Sequence, residues 1–179
     1  PAIINAAAGS RLAIAEALTN IVWTPLEMGL KGVSLSANWM WPCRNPGEDA
    51  RLYKAVKAAS DFATELGINI PTGKDSLSMT QKYPDGERVI SPGTVIISAV
   101  AESKDIRVTV KPVLAKEAGT AIVYIPFNQL SEKSFELGGS AFAQVTGQLG
   151  NNTPDIIDSE YFAKCFETLQ QFISKGVVL

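Results

Sequence analysis

The chain has 179 residues, of which 46% are apolar and 19% charged, and its formal net charge is -2. This composition is typical of a globular protein. It offers no basic excess for binding nucleic acid and no apolar run of the roughly 18 residues that a membrane span needs. The absence of histidine excludes Ser-His and Cys-His nucleophiles and histidine-based zinc sites within the chain. Two distant cysteines, Cys43 and Cys165, indicate free thiols in a reducing cytoplasm.

Hydrophobic periodicity divides the first 66 residues into helical and extended segments. Ser10 is the expected N-cap of the first helix, and Gly29 is its expected stop. Gly67 is expected to end the second helix. The predicted elements are a helix over 10–28, a strand over 32–38, a loop over 39–47 and a helix over 48–66.

Extended structure and turns are predicted next. Residues 71–76 read Pro-Thr-Gly-Lys-Asp-Ser and predict a glycine-containing loop. The Pro-Asp-Gly sequence at 84–86 predicts a turn, because proline fixes one backbone dihedral and glycine supplies a positive one. The continuous apolar run at 95–100 indicates a strand buried on both faces. The strands that flank the turn are predicted over 76–82 and 95–101.

The pattern changes from about residue 104 onward. We place a domain boundary near residue 112, so that 1–112 is a first α/β unit and 113–179 begins a second one. The fold class is α/β or α+β. Because the chain starts at Pro1 without methionine and ends in an apolar run, we expect a piece of a longer protein. The remaining predicted elements are strands over 106–110 and 120–125, helices over 140–149 and 161–174, and a polar loop over 150–154.

Glu16 and Asn20 form the first candidate site. They lie four residues apart in a predicted helix, so both side chains fall on one face, one turn apart. A carboxylate and an amide oxygen so placed can share a Mg²⁺ ion, which prefers oxygen ligands. A solvated helix face is the alternative. The apolar neighbours predict that the Glu16 carboxylate is partly buried and therefore needs a partner.

The sequence Gly73-Lys74-Asp75-Ser76 resembles a phosphate-binding loop in its chemistry. Glycine allows close backbone approach, and successive backbone amides can form an anion-binding concavity. Lys74 supplies a positive charge and Ser76 a hydroxyl. The sequence is not a Walker loop, because Asp75 stands where that motif has Ser or Thr. A charged surface turn is the alternative.

Two further segments are weaker candidates. Asn38 stands near the end of a predicted strand, where ligands of open α/β sheets bind. The neighbouring Trp39 and Trp41 fit packing better than base stacking. The Leu-Gly-Gly-Ser sequence at 137–140 precedes a predicted helix and could bind an anion, or Ser140 could cap that helix.

Taken together, these motifs resemble the large single-chain phosphoribosylformylglycinamidine synthases, in which they occur in the same order. Each motif alone has low specificity, but the ordered set is specific and covers nearly the whole chain. The matching segments are 16–20 (Glu-Ala-Leu-Thr-Asn), 36–40 (Ser-Ala-Asn-Trp-Met), 46–49 (Pro-Gly-Glu-Asp), 73–79 (Gly-Lys-Asp-Ser-Leu-Ser-Met), 92–95 (Pro-Gly-Thr-Val) and 137–144 (Leu-Gly-Gly-Ser-Ala-Phe-Ala-Gln).

The resemblance implies a fold and a reaction. The synthetase region of this family is a pseudo-dimer of two aminoimidazole ribonucleotide synthetase-like halves. Residues 1–112 would then be part of the second N-terminal-type domain, and 113–179 the beginning of a C-terminal-type domain. The enzyme converts formylglycinamide ribonucleotide, ATP and glutamine to the amidine, ADP, phosphate and glutamate in de novo purine biosynthesis. ATP activates the formylglycinamide oxygen as an iminophosphate, and ammonia from a glutaminase domain displaces phosphate.

The resemblance also implies cofactors, partners and site residues. ATP or ADP and Mg²⁺ are the expected cofactors. The expected partners are the substrate and the rest of the same polypeptide, in a cytoplasmic monomer. We expect no catalytic residue here and no activity from the chain alone. The implied metal ligands are Glu16 and Asn20, and the implied ATP or substrate contacts are Gly73, Lys74, Asp75, Ser76 and Asn38.

Two other interpretations stay open at this stage. The chain could be a structural module that holds ADP and Mg²⁺ and only stabilises the pseudo-dimer. It could also belong to a selenophosphate synthetase relative, although the sequence of 73–79 argues against that.

Overall fold

The computed structural model describes residues 1–114, 116, 118–129 and 135–178. It is a mixed α/β structure, as the sequence predicts. In chain order the elements are α1 (Ala6–Ile21), β1 (Ser34–Met40), α2 (Glu48–Leu66), β2 (Asn69–Ser76), β3 (Thr80–Lys82), β4 (Arg88–Ile90), β5 (Thr94–Val100), α3 (Ala141–Val145) and α4 (Ser159–Ser174), with 3₁₀ turns at Gly29–Gly32 and Ile106–Val108.

Helix α1 begins earlier and ends earlier than its periodicity predicts. Asn5 is the N-cap, since its side chain accepts a hydrogen bond from the Ala8 N–H at 3.1 Å. The prediction of Ser10 as N-cap is wrong. Ser10 lies buried inside α1, and its hydroxyl donates to the Ala6 carbonyl. The helix ends before Pro25, which has no N–H to continue the backbone ladder.

The central strand of the main sheet is β1, in the order β2-β1-β5. Strand β2 is parallel to β1, and β5 is antiparallel to it. Leu35, Ala37 and Trp39 are buried and belong to one core cluster with apolar side chains of α1, α2 and α4. The alternate residues Ser36 and Asn38 are half-buried on the other face. We call that second surface the open face of the sheet.

Two predictions about the strands are wrong. The segment 71–76 is not a loop but most of β2, which pairs with β1. Its polar sequence lacks apolar alternation because β2 is an exposed edge strand. The segment 95–100 is not buried on both faces. It lies in β5, the other edge strand, where Ile96 is 49% exposed and Val100 is 67% exposed.

The hairpin turn is confirmed, since the Gly86 N–H donates to the Tyr83 carbonyl at 3.0 Å and Gly86 has a φ of 91°. Strand β3 is shorter than the predicted strand over 76–82, and its hairpin partner β4 was not predicted. The predicted strand over 95–101 is β5, which pairs with β1 instead. The predicted strand over 106–110 contains a 3₁₀ turn instead. The predicted strand over 120–125 is also wrong, because residues 121–125 are exposed and have no sheet ladder in the described structure.

The helices were predicted more accurately than the strands. Helix α2 has its predicted bounds, and Gly67 ends it with a φ of 69°. Helix α4 begins within two residues of its predicted start and ends where predicted, whereas α3 is only five residues long. Four buried residues of α4 complete the core above α1 and α2: Phe162, Phe166, Leu169 and Ile173. The domain boundary near 112 stays a prediction.

Candidate functional site

One end of the sheet gathers the segments that the sequence singled out. The carboxyl ends of β1 and β2 meet here, since Met40 pairs with Ser76. The start of β5 lies at the same end, since Met40 also pairs with Thr94. Ligands of open α/β sheets favour the carboxyl ends of strands. This end of the sheet is therefore the candidate functional site.

The open face carries three of the predicted site residues side by side. Asn38 of β1 pairs with Lys74 of β2, and directly paired residues project to the same face of a sheet. Ser76 lies two residues after Lys74 and shares that face. The Lys74 Nζ donates to the Ser76 hydroxyl at 3.0 Å. An exposed ammonium and a hydroxyl therefore stand beside an amide, which suits the binding of a phosphorylated ligand.

The amide oxygen of Asn38 has an unusual environment. Among the described residues, five buried side-chain N or O atoms have no hydrogen-bond partner, and Asn38 Oδ1 is one of them. It is the one that lies on the open face beside Lys74. A buried acceptor without a donor costs about 1–3 kcal/mol. A ligand that brings a donor group to this atom would remove that cost.

Gly73 and Asp75 face the opposite way from Lys74 and Ser76. Gly73 pairs with Ala37, and a Cβ at position 73 would collide with the Ala37 carbonyl oxygen. The predicted concavity of successive backbone amides is wrong, because neighbouring N–H groups of a strand point in opposite directions. The glycine thus has a clear packing role. Ligand contacts by Gly73 and Asp75 stay predictions.

Glu16 and Asn20 lie on α1, where both are exposed. The expectation that Glu16 is partly buried is therefore wrong. Glu16 lines a cavity of about 290 Å³ between α1 and the start of β5. Two oxygen ligands one turn apart on an accessible stripe fit a hard cation such as Mg²⁺. They supply only part of a coordination shell, because within the described ranges no group of three or more Cys, Asp and Glu residues could hold a metal.

The two candidate groups lie on different sides of the sheet. Helix α1 packs against β5 and belongs to the core cluster on the side of Leu35 and Ala37. Lys74 and Ser76 project from the open face instead. Glu16 is consequently separated from Lys74 by the sheet itself, and the two groups form no single site within the described chain.

Three other sequence candidates have structural roles. Trp39 and Trp41 are buried, with ring centroids 6.4 Å apart, which confirms packing. Ser140 caps α3, since its hydroxyl accepts a hydrogen bond from the Ala143 N–H at 3.2 Å. Gly93 was missed as a site residue. A Cβ at position 93 would collide with the Trp41 ring, and Gly93 lines the Glu16 cavity. The Pro-Gly pair at 92–93 was the signal available in the sequence.

Cys43 lies just beyond the end of β1 and does not provide an activated nucleophile. Partial burial, followed by the nearby carboxylates of Asp49 and Glu48, raises the pKa of the Cys43 thiol. The thiolate is the reactive form, so a raised pKa keeps this group neutral and weakly reactive near pH 7. Both cysteines are free thiols, as the sequence predicts.

Comparison with known proteins identifies the family. A family model described as the FGAR-AT PurM_N-like domain matches residues 1–102. The chain belongs to this family. The resemblance drawn from the ordered motifs is thereby confirmed, and the mixed α/β structure fits such a domain.

Two curated relatives match nearly the whole chain. The protein named probable phosphoribosylformylglycinamidine synthase from Caenorhabditis elegans is 41% identical over 173 residues, which is 97% of this chain and 13% of the relative. The one named probable phosphoribosylformylglycinamidine synthase, chloroplastic/mitochondrial, from Arabidopsis thaliana is 41% identical over 176 residues, which is 98% of this chain and 12% of the relative. The chain thus spans about an eighth of the length of these relatives.

No helix in the described parts of the chain is long and apolar enough to cross a membrane. The cytoplasmic location stays a prediction, since the name of the Arabidopsis relative refers to chloroplasts and mitochondria.

Replacing Gly73 by alanine tests the packing at the centre of the site. Gly73→Ala should lower the free energy of unfolding by about 1–3 kcal/mol, because the added methyl group collides with the Ala37 carbonyl and forces β2 away from β1. Urea unfolding measures this loss. The matched control is Thr72→Ala, an exposed position on the same strand, which should change stability by less than about 0.5 kcal/mol. Equal effects of the two changes would contradict the close approach.

Proposed function

We propose that this chain is part of the ATP-dependent synthetase region of a phosphoribosylformylglycinamidine synthase, a carbon–nitrogen ligase with glutamine as amide donor. Formylglycinamide ribonucleotide would be the substrate and formylglycinamidine ribonucleotide the product, in purine biosynthesis. Family membership supports this proposal, as do the names of two relatives that match the chain nearly end to end.

The unpartnered Asn38 oxygen beside Lys74 and Ser76 carries the proposal. In the proposed reaction the formylglycinamide oxygen takes a phosphoryl group from ATP, and ammonia then displaces phosphate. Lys74 would offset phosphate charge, and the Ser76 hydroxyl would donate to a phosphate oxygen. Asn38 Oδ1 would accept a hydrogen bond from an N–H group of the substrate or nucleotide. These groups bind and orient, and the groups that transfer protons lie elsewhere in the longer protein.

Glu16 and Asn20 would hold Mg²⁺ through their side-chain oxygens. When bound, the ion neutralises nucleotide phosphate charge. The Glu16 cavity is open to solvent beside the start of β5, which leaves room for a nucleotide phosphate next to the ion. Further ligands would come from outside the described residues, because no carboxylate cluster completes the shell within them.

A second function is favoured by the separation of the two groups across the sheet. We propose that Glu16 and Asn20 serve a structural ADP and Mg²⁺ site that stabilises the pseudo-dimer, whereas Asn38, Lys74 and Ser76 serve the reacting site. One chain would then contribute to two nucleotide sites of different roles.

The proposal includes the surroundings of the chain. Residues 1–112 and 113–179 would belong to an N-terminal-type and a C-terminal-type domain of an aminoimidazole ribonucleotide synthetase-like half. The rest of the same polypeptide, with its glutaminase domain, would supply ammonia. The complete protein would be a cytoplasmic monomer that binds no nucleic acid.

Lys74→Ala in the complete protein should lower kcat/KM for ATP about tenfold or more, because a charged group that contacts phosphate is lost. Ammonia replaces glutamine in this assay, so that the glutaminase step does not limit the rate. Lys82→Ala, which changes another exposed lysine on β3, is the matched control and should stay within about twofold of the unchanged protein. Equal losses in both variants would refute a role for Lys74 in ATP binding.

Glu16→Ala in the complete protein should remove the thermal stabilisation given by MgADP and leave kcat unchanged, because Glu16 lies across the sheet from Lys74. Thermal unfolding with and without MgADP measures the first quantity, and the ammonia-dependent assay the second. Glu27→Ala, another exposed carboxylate, is the control. A large fall in kcat with unchanged stabilisation would assign Glu16 to the reacting site instead.

The 179-residue chain alone should not form the amidine from ATP and ammonia, because the proposal puts its proton-transferring groups on other segments. Product formation is followed chromatographically with formylglycinamide ribonucleotide as substrate. Steady turnover by the purified chain would disprove this expectation.

A further inference from the structure

Gln170 of α4 lies 6% exposed against the backbone that follows α1. Its side-chain amide makes three hydrogen bonds there. The Nε2 atom donates to the carbonyls of Val22 at 2.5 Å and Thr24 at 3.0 Å, and Oε1 accepts from the Leu26 N–H at 2.8 Å. The Gln170 side chain therefore makes hydrogen bonds to three backbone groups, all of them within residues 22–26.

These three hydrogen bonds satisfy backbone polar groups in the segment that follows α1. The last carbonyls of a helix have no partner within the helix, and buried backbone groups need one. Pro25 interrupts the segment and offers no N–H. A glutamine amide has two N–H donors and a carbonyl acceptor, so one residue can meet all three requirements.

A second residue of α4 holds the same segment further along. The Glu167 carboxylate accepts a hydrogen bond from the Leu30 N–H at 2.7 Å. It also lies over Gly29, where a Cβ would come within 2.7 Å of its oxygens. Gln170 and Glu167 are one turn apart on α4, so the helix fixes both ends of the segment 22–30. We call this set of contacts the α4 clamp.

The α4 clamp acts on the end of the helix that bears Asn20. Val22 is the C-cap of α1, and its N–H closes the last helical turn on Leu18 at 3.0 Å. Asn20 lies within that turn, whereas Glu16 lies one turn earlier, in the helix interior. If the segment after Val22 loosens, the last turn frays and the Asn20 side chain moves relative to Glu16.

We infer that Gln170 is a positioning residue for the Glu16–Asn20 pair, and that α4 thereby controls the affinity of this pair for Mg²⁺ bound with a nucleoside diphosphate. The inference rests on the proposed metal role of the pair. Gln170 lies outside the family match over 1–102, so the site depends on a helix beyond that domain.

The test compares Gln170→Leu with Phe166→Leu in the complete protein, at a temperature where both are folded by circular dichroism. Gln170→Leu keeps similar volume and removes all three hydrogen bonds. Phe166→Leu loosens the same helix, where Phe166 is fully buried, and removes none. Calorimetry gives the dissociation constant of ADP with Mg²⁺ and with EDTA, and the ratio of the two isolates the contribution of the metal.

Mg²⁺ should tighten ADP binding by the unchanged protein, and Gln170→Leu should reduce that gain about tenfold, which is within the range for residues that act on a site without touching the ligand. Phe166→Leu should leave the gain within about twofold. An equal reduction in both variants, or no reduction in Gln170→Leu, would overturn the inference.

Amide hydrogen exchange separates failure of this inference from failure of the proposed function. In Gln170→Leu, exchange at Val22 and Leu26 should rise about tenfold or more while β1 amides keep their protection. If exchange rises uniformly across the chain instead, the inference that Gln170 holds the segment 22–30 locally is overturned. If the unchanged complete protein shows no gain from Mg²⁺, the metal role of Glu16 and Asn20 fails. The exchange result then decides whether α4 holds this segment.

Discussion

The two faces of β1 lie in different environments, and much of the molecule depends on that difference. Leu35, Ala37 and Trp39 point into the core, where α1, α2 and α4 cover them. Asn38 points the other way, beside Lys74, and its oxygen is left without a donor. Because the side-chain period of a strand is two, a slip of one residue would bury the amide and expose the tryptophan. The same packing that stabilises the core therefore places the polar groups on the open face.

Helix α4 joins the two predicted units through both apolar and polar contacts. Its Phe162 packs edge-to-face against Phe62 of α2, with ring centroids 5.7 Å apart. The segment before α4 adds a two-pronged ion pair between Arg11 and Asp155. The hydrogen bonds and the negative charge of Asp155 raise the pKa of the Arg11 guanidinium. This rise exceeds the lowering of the pKa by partial burial. Helix α1, which bears the predicted metal ligands, is thus held from a distant part of the chain.

The sequence was most informative where a local signal decides the structure. Helix α2 was predicted to the residue because its apolar face repeats and Gly67 ends it. Strand β2 was mistaken for a loop because an edge strand with polar residues on both faces has no apolar alternation to detect. The site residues came from an ordered set of motifs. Their separation across the sheet depends on strand pairing, which no single segment encodes. Gln170 gave no signal at all, since its partner Val22 is 148 residues away.

The packing of Gly73 against Ala37 bears on how relatives of this chain should be compared. A glycine there is required by the neighbouring strand whether or not any ligand is bound. Selection for folding alone would then preserve it in a descendant that had lost its chemistry. Lys74 and Ser76 are exposed or half-exposed and have no such steric requirement, so they are free to drift once activity is gone. Substitution at these two positions, with the glycine retained, would be the mark of an inactive descendant.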